Sequence, residues 1–95
     1  MVCLSVVLTV RDEGDVAEIA RLLTEQGRLS RAEPGCLRFE VNHSKSDTKV
    51  FLLNERWESQ AALDEHRKAQ AFIEIYIPQV LPKVDRVPHE CEVLE

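Results

Sequence analysis

Glycine, proline and aromatic residues are all scarce in this chain of 95 residues. Three glycines and four prolines among ordinary apolar content exclude a long disordered or low-complexity stretch. Apolar runs long enough to span a membrane are missing, and the N-terminus has no basic lead into a signal peptide. Cysteine is sparse too. Cys3, Cys36 and Cys91 are odd in number, widely spaced and without a C-x-x-C pair, which argues against a disulfide framework or a zinc site. Each is expected as a small buried apolar group, reduced in a cytoplasmic protein. Basic residues are outnumbered, and the net charge of -5 argues against nucleic acid or an anionic membrane as partner. No glycine-rich turn opens a helix to cradle a phosphate.

What remains is one domain, residues 1–95, since a second core would not fit. Val2, Leu4, Val6, Leu8 and Val10 alternate with Cys3, Ser5, Val7 and Thr9, a first strand with apolar residues on both faces. Asp15 and Glu18 have the spacing of a capping box ahead of a helical stripe of Val16, Ile19, Ala20 and Leu23. Glu33-Pro34-Gly35 breaks that helix, and Cys36–Asn42 alternates as a second strand. A polar loop leads to the strand Val50–Trp57, after which Ser59 is a good N-cap for a second helical region. Val84 to Leu94 reads as a last strand, with Pro88 implying an edge position or a bulge. This order is the split βαβ arrangement of a ferredoxin-like α+β fold, βαββαβ. Two helices cover one face of such a sheet. The apolar surplus on the other face, Leu52 included, predicts a homodimer packed sheet against sheet.

Phe51, Leu53, Glu55 and Trp57 share one face of the third strand. A carboxylate among Leu, Phe and Trp is costly to bury unless something pairs with it. In the next helical region Ala62, His66, Ala69, Ile73, Tyr76 and Val80 step by three or four, a single inward stripe. A straight helix would hold His66 and Tyr76 about 15 Å apart. Pro78 and Pro82 predict a kink or an early stop. His66 then lies at the pocket end nearest Trp57, with Tyr76 on the far side. Each residue also has a structural reading. Trp57 packs as core, His66 bonds the strand below, and Glu55 pairs with an Arg across the sheet. His43, His89 and the charges from Asp64 to Lys68 are read as solvated.

The runs Glu33-Pro34-Gly35-Cys36-Leu37-Arg38-Phe39-Glu40-Val41, Phe51-x-x-x-Glu55-x-Trp57-Glu58-Ser59 and Ala62-Leu63-x-x-His66 resemble the antibiotic biosynthesis monooxygenase domain. Among its members the chain looks most like small bacterial quinol-monooxygenase-like proteins. The resemblance covers nearly the whole chain and implies a dimeric α+β barrel. It also implies oxygenation of a phenol or quinol by dioxygen with no metal, flavin or other cofactor. Two departures stand out. A second His, often found five residues after the first in close relatives, is replaced by the run Ala69-Gln70-Ala71. Where a heme-degrading branch places its iron ligand, this chain has Tyr76 nearby and no His, which disfavours heme degradation.

The expected function is therefore a cofactor-independent monooxygenase acting on a small aromatic or quinol-like substrate. His66 is the candidate base, its ordinary pKa lying near neutrality. Glu55 orients it or acts as base itself, and Trp57 supplies a wall with one N–H donor. Phe39, Phe72 and Tyr76 are the candidate substrate-binding residues. Two rivals stay open, an isomerase of a small carbonyl compound and a noncatalytic dimer that binds an aromatic or heme-like ligand.

Overall fold

The alternation along Val2–Val10 becomes strand β1, the inner strand against which two others pair. A computed structural model describes every residue from Met1 to Glu95. With β2 (Cys36–His43), β3 (Val50–Trp57) and β4 (Val84–Cys91), β1 forms one sheet in the order β2-β3-β1-β4, antiparallel throughout. Helices α1 (Val16–Arg31) and α2 (Gln60–His66) and a π-helix (Ala71–Val80) complete the chain. The topology is the ferredoxin-like α+β fold.

Period-two geometry decides which side chains meet the helices. Val6, Leu8 and Val10 of β1 and Phe51 and Leu53 of β3 are buried, and they pack with Ile19, Leu22 and Leu23 of α1. Leu8, Ile19 and Leu23 are wholly enclosed, each stabilising the fold by about 1.5–3 kcal/mol. Any one of them outweighs a surface ion pair such as Arg11 with Asp85. The other face of the sheet is open. Its apolar part is narrower than the alternation predicts: Val7, Leu52 and Val87 sit among Ser5, Thr9, Asn54 and Arg56.

Several local expectations need correction. Asp15 precedes α1 but its side chain caps nothing, because Asp15 and Glu18 both turn to Lys83 instead. A 3-10 turn comes first, and there Asp12 Oδ1 accepts from Gly14 N at 2.9 Å. The second strand continues to His43, and the last ends at Cys91 rather than Leu94. Cys3 is buried and Cys36 half-buried, whereas Cys91 is exposed on the uncovered edge strand.

The largest correction concerns the second helical region. Ser59 does cap α2, its Oγ accepting from Ala62 N at 3.1 Å. After His66 the bonds tighten, with Lys68 N to Glu65 O and Ala69 N to His66 O, and the helix ends in a turn. The following helix is wound wide: Leu81 N reaches back five residues to Tyr76 O. Its buried positions are Ala71, Ile75, Tyr76 and Val80, steps of four and five, so Ile73 of the expected stripe faces outward. Pro78 lies inside it and, in this winding, offers no N–H to Ile73 O. Beside it the Gln79 side chain folds back on the helix, its Nε2 donating to Glu74 O at 2.9 Å.

Two further features set the frame of the sheet. Between Cys36, opposite Trp57, and Arg38, opposite Arg56, the extra residue Leu37 makes a bulge in β2. Just before it Gly35 has φ +80, and a Cβ there would lie 2.5 Å from that of Ala62. Only glycine fits this approach of the β2 turn to α2.

Candidate active site

Strand β3 delivers Glu55 and Trp57 to the covered face, as alternation predicts. Trp57 Nε1 donates to Glu55 Oε1 at 3.0 Å, so the indole meets part of the cost of burying the carboxylate. Burial pushes the Glu55 carboxyl above its ordinary range, against the opposing pull of the Trp57 N–H, His66, Arg86 and Arg67. Asn54, on the opposite face, bonds Asn42 at 3.0 Å.

His66 is the last residue of α2 and lies in an aromatic cage. Its ring centroid is 4.4 Å from Trp57, 5.6 Å from Phe72 and 5.7 Å from Phe39. The group that orients it is Glu33, whose Oε1 lies 2.6 Å from His66 Nδ1. Glu55 makes no hydrogen bond to the ring. An ionised carboxylate only accepts, so the contact places the neutral ring's proton on Nδ1 and leaves Nε2 as its basic nitrogen. Glu33 belongs to the turn that Gly35 closes, which links the left-handed glycine directly to the histidine.

The break after His66 folds the π-helix back onto the same place. Phe72 lies edge-on to His66, and Tyr76 tilts against Phe72 at 5.4 Å. The separation expected from a straight helix is thus overturned: His66 and Tyr76 border one void. Arg86 of β4 joins them, Nε donating to the Tyr76 hydroxyl at 2.9 Å. Burial raises the Tyr76 pKa, and Arg86 opposes that rise. Glu55, Arg67, Leu63, Leu4 and Gln26 complete the lining, and the void has room for about one water molecule. His66 also borders a surface recess shaped by Glu33, Gly35, Glu58, Ala62 and Glu65.

Of the residues singled out from the sequence, His66, Glu55, Phe72 and Tyr76 are thus brought together at the void. Trp57 and Phe39 stand behind it, both buried, supporting His66 and not lining the space. Sequence reasoning missed Glu33, Arg86 and Gln26. Arg86 had a signal, being a basic residue two positions beyond the buried Val84 on the same strand face. Gln26 had one too, a polar residue in register with Ile19, Leu22 and Leu23. Glu33 had none beyond its place before a breaker.

Residues 1–76 match the family model for antibiotic biosynthesis monooxygenase. The chain belongs to the antibiotic biosynthesis monooxygenase family. Solved structures agree in fold. A conserved protein of unknown function from Bacteroides thetaiotaomicron superposes with a TM-score of 0.88 at 22% identity, over 97% of this chain and 96% of its own. A Pseudomonas aeruginosa protein gives 0.87 at 21% identity, over 99% and 95%. A protein named antibiotic biosynthesis monooxygenase gives 0.85 at 20% identity, over 98% and 99%. An uncharacterized Synechocystis protein is 38% identical over 45 residues, 47% of this chain and 31% of that protein. The chain therefore matches under a third of that relative's length. No helix of this family member is long and apolar enough to cross a membrane.

Proposed function

We propose that this protein is a monooxygenase that uses no prosthetic group and oxidises a small quinol or polyphenol with dioxygen. The observation that carries the reading is a histidine with Nδ1 committed to Glu33, set beside the Arg86–Tyr76 pair at one small void. Family membership supports the reaction class, and the site supports the chemistry.

His66 takes the phenolic proton at Nε2, and the imidazolium that forms is held by Glu33. Arg86, fixed by its bond to Tyr76, stabilises the phenolate and the reduced oxygen that follows. The phenolate is itself the reductant. A quinol and one dioxygen give a hydroxyquinone and one water, all four electrons coming from the quinol. Glu55, held toward its protonated form by burial, returns a proton to the departing oxygen. Trp57 positions Glu55, Phe39 backs His66, and Phe72 and Tyr76 flank the ring. Since the void holds about one water, a ring enters by displacing the less buried wall of Phe72, Arg67 and Arg86.

The open face of the sheet serves in this reading as a twofold interface between two copies, centred on Val7, Leu52 and Val87. Leu52 and Val87 are 36% and 50% exposed there. The free thiols suit a reducing, cytoplasmic setting.

Oxygen uptake by metal-stripped protein with hydroquinones, naphthohydroquinones and phenols tests the activity. Saturable uptake above autoxidation that falls in His66→Ala is expected. Uptake no greater than autoxidation with every compound would sink the oxygenase reading.

A further inference from the structure

Helix α1 packs its inner face with Ile19, Leu22, Leu23, Gln26, Gly27 and Ser30. Its two polar side chains, Gln26 and Ser30, are both buried, and neither Gln26 Oε1 nor Ser30 Oγ has a hydrogen-bond partner. Gln26, 1% exposed, is the one of the two that borders the void. A buried amide oxygen left unpaired is a standing cost to the fold. A leucine at this position would fill similar volume with no such cost. An orphan of this kind beside a void therefore calls for a partner that enters the void.

Several polar groups around the space already hold one hydrogen bond each. Glu55 accepts from Trp57, Tyr76 accepts from Arg86, and His66 Nδ1 is held by Glu33. His66 Nε2, the Gln26 amide and the exposed Arg67 hold none, and of the three residues His66 and Gln26 are the buried ones. They arrive from α2 and α1, two separate elements, so together they offer two distinct points of attachment to one ring.

Resting on the monooxygenase reading, we infer that Gln26 is a substrate-recognition residue that hydrogen-bonds a second ring oxygen while His66 serves the first. Gln26 thereby gives the quinol of the proposed reaction a second anchor that a monophenol cannot use. A ring with one hydroxyl would leave the Gln26 amide as unpaired as it is now, and sites of this kind discriminate strongly against such analogues.

Anaerobic calorimetric titration separates this assignment from turnover, because no oxygen is present to react. The probes are naphthohydroquinone and 1-naphthol, with wild type beside Gln26→Leu and the near-isosteric Gln26→Met. Wild type is expected to bind the quinol at least about tenfold more tightly than the naphthol. In both variants the preference shrinks to about twofold or less, while the thermal midpoint holds or rises because a buried unpaired group is gone. An unchanged preference in the variants, or none in wild type, overturns the assignment. So does a thermal midpoint several degrees lower in both variants, which would make Gln26 structural. Oxygen uptake is read separately. A preference lost in the variants with no uptake in wild type sinks the oxygenase reading and leaves Gln26 as a ligand contact.

Discussion

The two helical halves of this molecule cover the same sheet in opposite ways. Helix α1 is one regular run from Val16 to Arg31, and it buries Ile19, Leu22 and Leu23 followed by the polar Gln26 and Ser30. The second half is a two-turn helix, a tight turn and a wide helix with a proline inside. The charged and aromatic groups gather there: His66, Phe72 and Tyr76, with Glu33 and Arg86 reaching in. Regular packing leaves no room for a polar void, whereas a break followed by a wider helix does. Irregular winding is where such a fold finds space for chemistry.

The sharpest way to break this contrast is to truncate one residue in each half. His66→Ala should lower kcat/KM by about 10²–10⁴, the usual range for a general base. Leu23→Ala should instead cost about 2–5 kcal/mol of stability in denaturant titrations, with activity kept wherever the protein is folded. If His66→Ala unfolds the protein as readily as Leu23→Ala does, the division of labour is wrong. Gly35→Ala tests the joint between the halves. Its φ of +80 and its 2.5 Å approach to Ala62 predict a loss of roughly 3 kcal/mol, with Glu33 displaced as well.

Glu33→Gln should be gentler, since an amide still touches Nδ1 but no longer stabilises the imidazolium. A fall of about 10- to 100-fold in kcat with KM little changed is expected in steady-state kinetics. An equal effect on KM would point to substrate binding instead. The smallest effect concerns Glu55. Its folded pKa is raised from the ordinary 4.5, so the folded state binds the proton more tightly than the unfolded state does. That stabilisation is complete below the unfolded pKa and is lost as pH rises through the folded one. Glu55→Gln should therefore be the more stable form at neutral pH, its advantage shrinking as pH falls toward 4.5. Thermal midpoints of both forms across that range check it, and a constant difference refutes it.

Most of the sheet was legible because strand alternation is a local property. β1 and β3 fall at Val2–Val10 and Val50–Trp57, where the pattern puts them. The pairing of Glu55 with Trp57 was half legible: the shared face was visible, while the hydrogen bond depends on rotamers. The break after His66 was not legible. Residues 62–80 keep a helical apolar rhythm straight through it, and Pro78 signals trouble ten residues too late to place the turn. Glu33 and Arg86 escaped for another reason. Glu33 meets His66 across 33 positions and Arg86 meets Tyr76 across 10 and a change of element, so tertiary packing alone brings them together.

The borders of the sheet have a consequence for how the chain behaves among its own copies. Outer strand β2 carries the Leu37 bulge, and outer strand β4 carries Pro88, which has no amide hydrogen to give. A neighbouring strand seeking to extend the ladder finds its register broken at one margin and a donor missing at the other. Lengthening of the sheet into a fibre is disfavoured from both sides. At high concentration the chain therefore resists the edge-to-edge aggregation to which a flat sheet of this size is prone.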